Sequence, residues 1–135
     1  MSPVYLLDTN IVSYFVRGNH PEIGKRLDHT PFDELAVSAV TEAELRFRIN
    51  HRPPNARIRV GAEDFLMRVP SLPWDSRAAQ SCARTREILK RQGRVLSSED
   101  LMIAAHALSL GLTLVTHDQV FSFVDGLRTE DWTVA

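Results

Sequence analysis

The sequence predicts one α/β domain, a mostly parallel sheet of four or five strands with helices on both faces. Three observations lead there. Short apolar runs at about residues 3–7, 35–38 and 112–115 have the length and composition of strands buried on both sides. Segments with helix start and stop signals lie between them, which is the order of βαβ units. The 135 residues, without repeat, low-complexity tract or long linker, suffice for one domain, residues 1–135, that buries about two-thirds of its unfolded surface.

Each element has its own signal. The first strand runs into a short helix beginning near Asn10. Pro21 fits the first turn of a second helix, ending near Asp28, because proline's fixed φ suits that turn and its missing N–H is not needed there. Leu35-Ala36-Val37-Ser38 reads as the next buried strand, and Thr41 is expected to open a helix to about Asn50. Pro53-Pro54 breaks it before another helix over roughly 56–68, and Ser71-Leu72-Pro73 fits a short strand. Asp75 is the expected N-cap of a helix from Ser76 to Gln92, closed by Gly93. Ser97 or Ser98 starts an apolar helix that Gly111 stops, and residues 112–115 form the clearest strand. A short helix around 120–124 and an edge strand within 127–132 complete the chain.

Composition narrows the setting. A hydrophobic fraction of 44% and a charged fraction of 24% belong to an ordinary soluble globular domain. No apolar stretch nears the ~20 residues that cross a bilayer, and the N-terminus lacks the order of a secretory signal. One cysteine, Cys82, excludes an internal disulfide and a thiolate-only metal site. The cytoplasm is the expected compartment. Net charge is −1, so no global excess of positive charge advertises a nucleic-acid partner. Locally, Arg46, Arg48, Arg52, Arg57 and Arg59 form a run without an acid. The run reads either as a solvated helix face or as a contact for an RNA backbone or acidic partner, which arginine's planar fork suits.

The chemistry is carried by acids. Asp8 follows the first strand directly and Asp118 follows the 112–115 strand, and the carboxyl edge of such a sheet is where ligands bind. Glu44 and Asp100 stand near helix starts. Each has a structural alternative. Asp8 can be an N-cap, with Asn10 bracing it or capping in its place. Glu44 completes a capping-box pattern with Thr41, Asp100 follows Ser97-Ser98, and Asp118 can close a turn. Glu42, two residues before Glu44, should face elsewhere, and Glu99 is expected in solvent. Asp100 shares its helical face with Ile103, Ala104 and Ala107 and so points inward. Thr9, Ser38 and Thr116 are hydroxyls near strand ends that can orient a carboxylate or a metal-bound water. His106, within an apolar helix, reads as a packed core residue, and His117 as a surface residue.

Four acids brought to one sheet edge repel one another and hold protons at neutral pH unless a cation intervenes. Mg²⁺ prefers such oxygen ligands, and Mn²⁺ accepts the same set. A site of this kind activates water against a phosphodiester.

Leu7-Asp8-Thr9-Asn10-Ile11, Ser38 to Leu45, Asp100 to Ala107 and Leu114-Val115-Thr116-His117-Asp118 resemble the successive motifs of PIN-domain ribonucleases, most closely the VapC-type toxins. Gly93-Arg94 and the ending from Val124 to Trp132 fit that subgroup as well. The resemblance implies a PIN-like α/β/α sandwich and a Mg²⁺-dependent endoribonuclease with Asp8, Glu44, Asp100 and Asp118 as its acidic quartet. The family glutamate precedes a leucine, which selects Glu44. Many such toxins have asparagine in place of Asp118, and Ser97-Ser98 stands where a Gly-Pro pair is usual. A homodimer, a VapB-type antitoxin and a structured RNA such as tRNA are implied partners. Two other readings stay open at this point. A phosphotransfer or phosphatase domain also places aspartates at strand ends, but Asn10 occupies the place of its second acid. A non-catalytic module binding RNA or protein would leave the quartet without a purpose.

Overall fold

The computed structural model describes residues 2–135; among them are six α-helices, five strands and two 3-10 turns. The strands β1 (Tyr5–Leu7), β2 (Leu35–Ser38), β3 (Ser71–Leu72), β4 (Thr113–Val115) and β5 (Thr129–Glu130) form one sheet in the order β3-β2-β1-β4-β5. All four pairings are parallel, so the sheet is parallel throughout rather than mostly so. The helices are α1 (Thr9–Arg17), α2 (Pro21–Asp28), α3 (Ala39–Asn50), α4 (Arg57–Arg68), α5 (Ser76–Arg91) and α6 (Ser98–Leu110). This is the α/β/α sandwich the sequence predicts.

Alternation along strands of three or four residues divides the core. Leu7, Leu35, Val37 and Val115 face one layer, with Ile11, Val12, Ile23, Leu27, Leu45, Phe65 and Trp132. Leu6, Ala36 and Leu114 face the other, against Ile103, Ala104 and Ala107 of α6 and Phe121. Small residues on α6 let it lie close to the sheet, and α5 packs along its outer side. Full burial of Leu6 and Leu7 stabilises the fold by about 2 kcal/mol each.

The strand order reverses between β1 and β4, since β2 and β3 lie on one side of β1 and β5 on the other. Loops leaving adjacent strands at such a point diverge to opposite faces and open a crevice at the carboxyl ends. That crevice decides where the acids meet.

Several ends differ from expectation. Ser38, not Thr41, caps α3: its hydroxyl accepts from the Val40 N–H at 3.1 Å, and Thr41 sits inside the first turn. The capping box of Thr41 with Glu44 is therefore absent, because the helix begins two residues earlier. Asp75 caps α5 as expected, accepting from the Ala78 N–H at 3.1 Å, and Gly93 follows with φ 69°, a conformation open to glycine at little cost. Ser97 rather than Ser98 caps α6, accepting from the Asp100 N–H at 3.2 Å. The short helix near 120 is a 3-10 turn, Gln119–Phe123, and the edge strand is only Thr129–Glu130. No helix among the described residues is long and apolar enough to cross a membrane.

Candidate active site at the carboxyl edge of the sheet

Asp8 is the centre of the crevice. It directly follows β1 and caps α1, so the cap reading and the site reading describe the same residue. Its backbone N–H donates to the Val115 carbonyl at 2.9 Å, which extends the pairing of β1 with β4 by one residue. The side chain is 4% exposed, with Oδ1 accepting from the Thr9 N–H at 2.7 Å and Oδ2 from the Thr116 hydroxyl at 2.9 Å. Burial, joined by the weaker fields of Asp100 and Glu44, raises its pKa to about 6 against those two hydrogen bonds. Relative to the ordinary 3.8, that costs the ionised fold about 3 kcal/mol at neutral pH, more than the burial of either Leu6 or Leu7 contributes.

The other acids converge by separate routes. Glu44, half-buried on α3, accepts the Thr9 hydroxyl at 2.7 Å, and that hydroxyl lies 3.1 Å from the Thr41 hydroxyl. Thr9 thus links the turn after β1 to α3. Glu42 pairs instead with Arg46 at 2.7 Å on the outer side of the helix, which separates the two glutamates as the sequence predicts. Asp100, in the first turn of α6, has a raised pKa, first from burial and then from Asp118, Glu44 and Glu99, with a hydrogen bond from Ser97 opposing. Asp118 is exposed and caps the 3-10 turn through the Val120 N–H at 3.0 Å. Its own N–H donates to the Thr116 hydroxyl at 3.1 Å, so a chain runs from Asp118 through Thr116 to Asp8.

Thr9 and Thr116 therefore hold site carboxylates directly. Ser38 does not: its hydroxyl is engaged by Val40 and by His106 Nδ1 at 2.8 Å, inside the protein. His106 is buried, as expected of a packed core residue. Asn10 does not brace Asp8. It lines the crevice, and its Oδ1 lies 3.4 Å from the Arg48 guanidinium. Arg48 also donates to Ser13 at 3.0 Å, tying α3 to α1. Arg46 pairs with Glu42 and Arg59 with Glu63, while Arg52 and Arg57 are exposed with no ion pair among the described residues. The arginine run is thus partly bound to its own helices.

A cavity of about 350 Å³ opens on Asp8, lined also by Asn10, Tyr14, His117, Asp118 and Gln119. Tyr14 escaped the sequence reading, although it stands one helical turn after Asn10 and so shares its face. His117 is exposed, and its Nδ1 contacts Asp131 Oδ2 at 2.9 Å. No sequence signal joined residues 14 apart across a sheet edge.

The side-chain groups around Asp8 offer oxygen atoms, and neighbouring carboxylates add to the raised pKa of Asp8 and of Asp100, an arrangement that fits a hard divalent cation. Among the described residues no three carboxylates, imidazoles or thiols stand close enough to ligate one ion directly. An ion held here would therefore keep part of its own water shell.

Comparisons with known proteins agree with this geometry. Residues 5–127 match the PIN domain family. The tRNA(fMet)-specific endonuclease VapC of Shigella flexneri is 35% identical over 130 residues, 96% of this chain and 98% of that protein. Ribonuclease VapC2 of Haemophilus influenzae is 36% identical over 129 residues, 95% and 97% of the two chains. The crystal structure of DNA-bound VapBC from Salmonella typhimurium superimposes with a TM-score of 0.89 at 30% identity, covering 96% of this chain and 98% of that one. Motif order, sheet topology and near-complete coverage coincide, and the chain belongs to the PIN-domain family, among the VapC ribonucleases.

Proposed function

We propose that this protein is the endoribonuclease toxin of a VapBC pair, that it works with Mg²⁺, and that it hydrolyses phosphodiester bonds in structured RNA such as tRNA. The observation that carries the reading is the state of Asp8: a carboxyl buried at the switch point of the sheet, with a pKa raised to about 6 beside Glu44 and Asp100. A fold keeps such a costly group where the charge has a use. Asp8, Glu44 and Asp100 would hold Mg²⁺, directly or through its waters, with Asp118 assisting from the rim; Mn²⁺ fits the same oxygens. Held there, such an ion would supply an activated water and charge neutralisation at the phosphoryl group.

The chain's own residues arrange the rest. Thr116 and the Thr9 amide fix both oxygens of Asp8, and the Thr9 hydroxyl fixes Glu44, so these acids keep their orientation when a substrate arrives. Burial of Asp8 keeps bulk water from screening its charge. The exposed Arg52 and Arg57 can contact an RNA backbone by charge alone. A VapB-type antitoxin, supported by the VapBC complexes of the structural relatives, a homodimer and a cytoplasmic location complete the reading we propose.

The test is direct. Purified protein, freed of antitoxin, is incubated with total tRNA in Mg²⁺, in EDTA, and alongside Asp8→Asn. Initiator tRNA comes first, since it names the substrate of the Shigella relative. Discrete fragments from wild type with metal alone support the reading. No cutting by folded wild type, with RNA still bound in EDTA, would replace it with a binding module.

A further inference from the structure

One wall of the Asp8 cavity carries an imidazole held in one orientation, that of His117 beside Asp118. His117 Nδ1 lies 2.9 Å from Asp131 Oδ2 and 3.1 Å from the Thr133 hydroxyl. Thr133 in turn donates its hydroxyl to Asp131 Oδ1 at 2.6 Å, and its N–H to the same oxygen at 2.9 Å. Burial pushes the Asp131 carboxyl up, but the bonds from Thr133 and His117 outweigh it and hold its pKa below the ordinary value. An ionised carboxylate only accepts, and the Thr133 hydroxyl has its proton on Asp131, so the proton between these groups belongs to His117 Nδ1. In the neutral imidazole this fixes the tautomer, leaving a lone pair on Nε2. Nε2 makes no hydrogen bond among the described residues, and His117 lines the cavity with Asp8.

We propose that His117, oriented by Asp131 and Thr133, is a substrate-contacting residue whose Nε2 accepts a hydrogen bond from the ribose 2′-hydroxyl beside the scissile phosphate, so that this site prefers RNA to DNA. The inference rests on the reading of the site as a phosphodiesterase. A cavity of about 350 Å³ has room for one sugar–phosphate unit rather than a run of nucleotides. With the phosphate at the acids, the group one bond away along the sugar is the ribose, and its 2′-hydroxyl is the donor that distinguishes RNA from DNA. An acceptor on this wall fits it. A phosphate oxygen, itself an acceptor, would meet the Nε2 lone pair unfavourably. Asp131 touches no substrate in this scheme and acts as a positioning residue through Nδ1.

The test uses whole protein and a defined probe. Cutting of tRNA by wild type first locates a cleavage position. A fluorescein-labelled hairpin spanning it is then made in two forms, all-ribose and with a single 2′-deoxyribose on the 5′ side of the cut. Binding is measured by fluorescence anisotropy in Mg²⁺ with Asp8→Asn, so that no product forms, and with Asp8→Asn/His117→Phe. Asp8→Asn should prefer the ribose form about tenfold, the worth of one hydrogen bond. His117→Phe should remove that preference and bring the ribose form to the affinity of the deoxy form. A second pair carrying Asp131→Asn should show a reduced preference with the same melting temperature as its parent. A ribose preference that survives His117→Phe overturns the inference and leaves the nuclease reading standing. Failure of wild type to cut any tRNA overturns both.

Discussion

Asp8 and Asp118 leave neighbouring strands at the same edge of the sheet, and their environments are opposite. β1 and β4 pair with Leu7 opposite Val115. The residue facing Asp8 is therefore Thr116, whose hydroxyl reaches its carboxylate, while Asp118 falls two residues beyond the pairing and into solvent. One acid is buried, with both oxygens fixed and its proton held to about pH 6. The other caps a 3-10 turn and touches Asp8 only through Thr116. Two residues of offset separate a buried group that stores electrostatic strain from an exposed one that caps a turn at the rim.

The largest effect should come from Asp8→Asn. Cleavage should fall about a thousandfold or more, since the central charge for the cation is gone. The metal-free fold should meanwhile gain about 2–3 kcal/mol at pH 7.5, because no charge has to be buried. The sign follows from the raised pKa. Between about pH 4 and pH 6 the folded wild type binds more protons than the unfolded chain, so its stability rises as pH falls through that window. The gap between wild type and Asp8→Asn should thus be widest above pH 6 and close near pH 4. Urea titrations in EDTA at pH 4, 5 and 7.5 measure it; a gap independent of pH would show that Asp8 carries no strain.

Glu44→Gln should cost cleavage about ten- to a hundredfold while keeping the fold, because the amide oxygen still accepts the Thr9 hydroxyl. With one repelling charge removed, the Asp8 pKa should drop below about 6, readable by carboxyl NMR titration. An unmoved Asp8 would mean the two acids do not sense each other.

Thr116→Val removes the donor to Asp8 and should destabilise by about 1–2 kcal/mol at pH 7.5. The Asp8 pKa should climb, so the loss should shrink toward pH 4.5, and thermal melts at both pH values compare the two. Asp118→Asn should do least. Asparagine caps as well as aspartate, so stability should stay within about 0.5 kcal/mol. The Asp100 pKa should fall as the Asp118 field leaves. A stability loss as large as that of Thr116→Val would erase the contrast between the two aspartates.

Most of the scaffold was legible in particular residues. Pro21 at a helix start, Asp75 as a cap and Gly93 after a helix act through their own backbone chemistry and need no neighbour to be read. The start of α3 was misread because Ser38 and Thr41 are both competent caps, and only the end of β2 in the sheet selects Ser38. Among the acids, Glu44 was separable from Glu42 by spacing, and the structure turns Glu42 to Arg46. Asn10 and Ser38 were read as supports for the acids, yet Ser38 is engaged by His106, a residue 68 positions away. No local pattern records such a pairing.

The sequence alone determined the α/β class and most of the elements, because hydrophobic spacing, caps and breakers act over a few residues, and with the family resemblance it put forward four candidate acids. Tertiary structure alone decided which acid bears the strain, which hydroxyl holds it, and that His117 stands clipped to Asp131 beyond the ends of β4 and β5. Those outcomes depend on strand register and strand order, which bring together residues more than a hundred positions apart. Burial and charge coupling are properties of that meeting and exist in neither segment by itself.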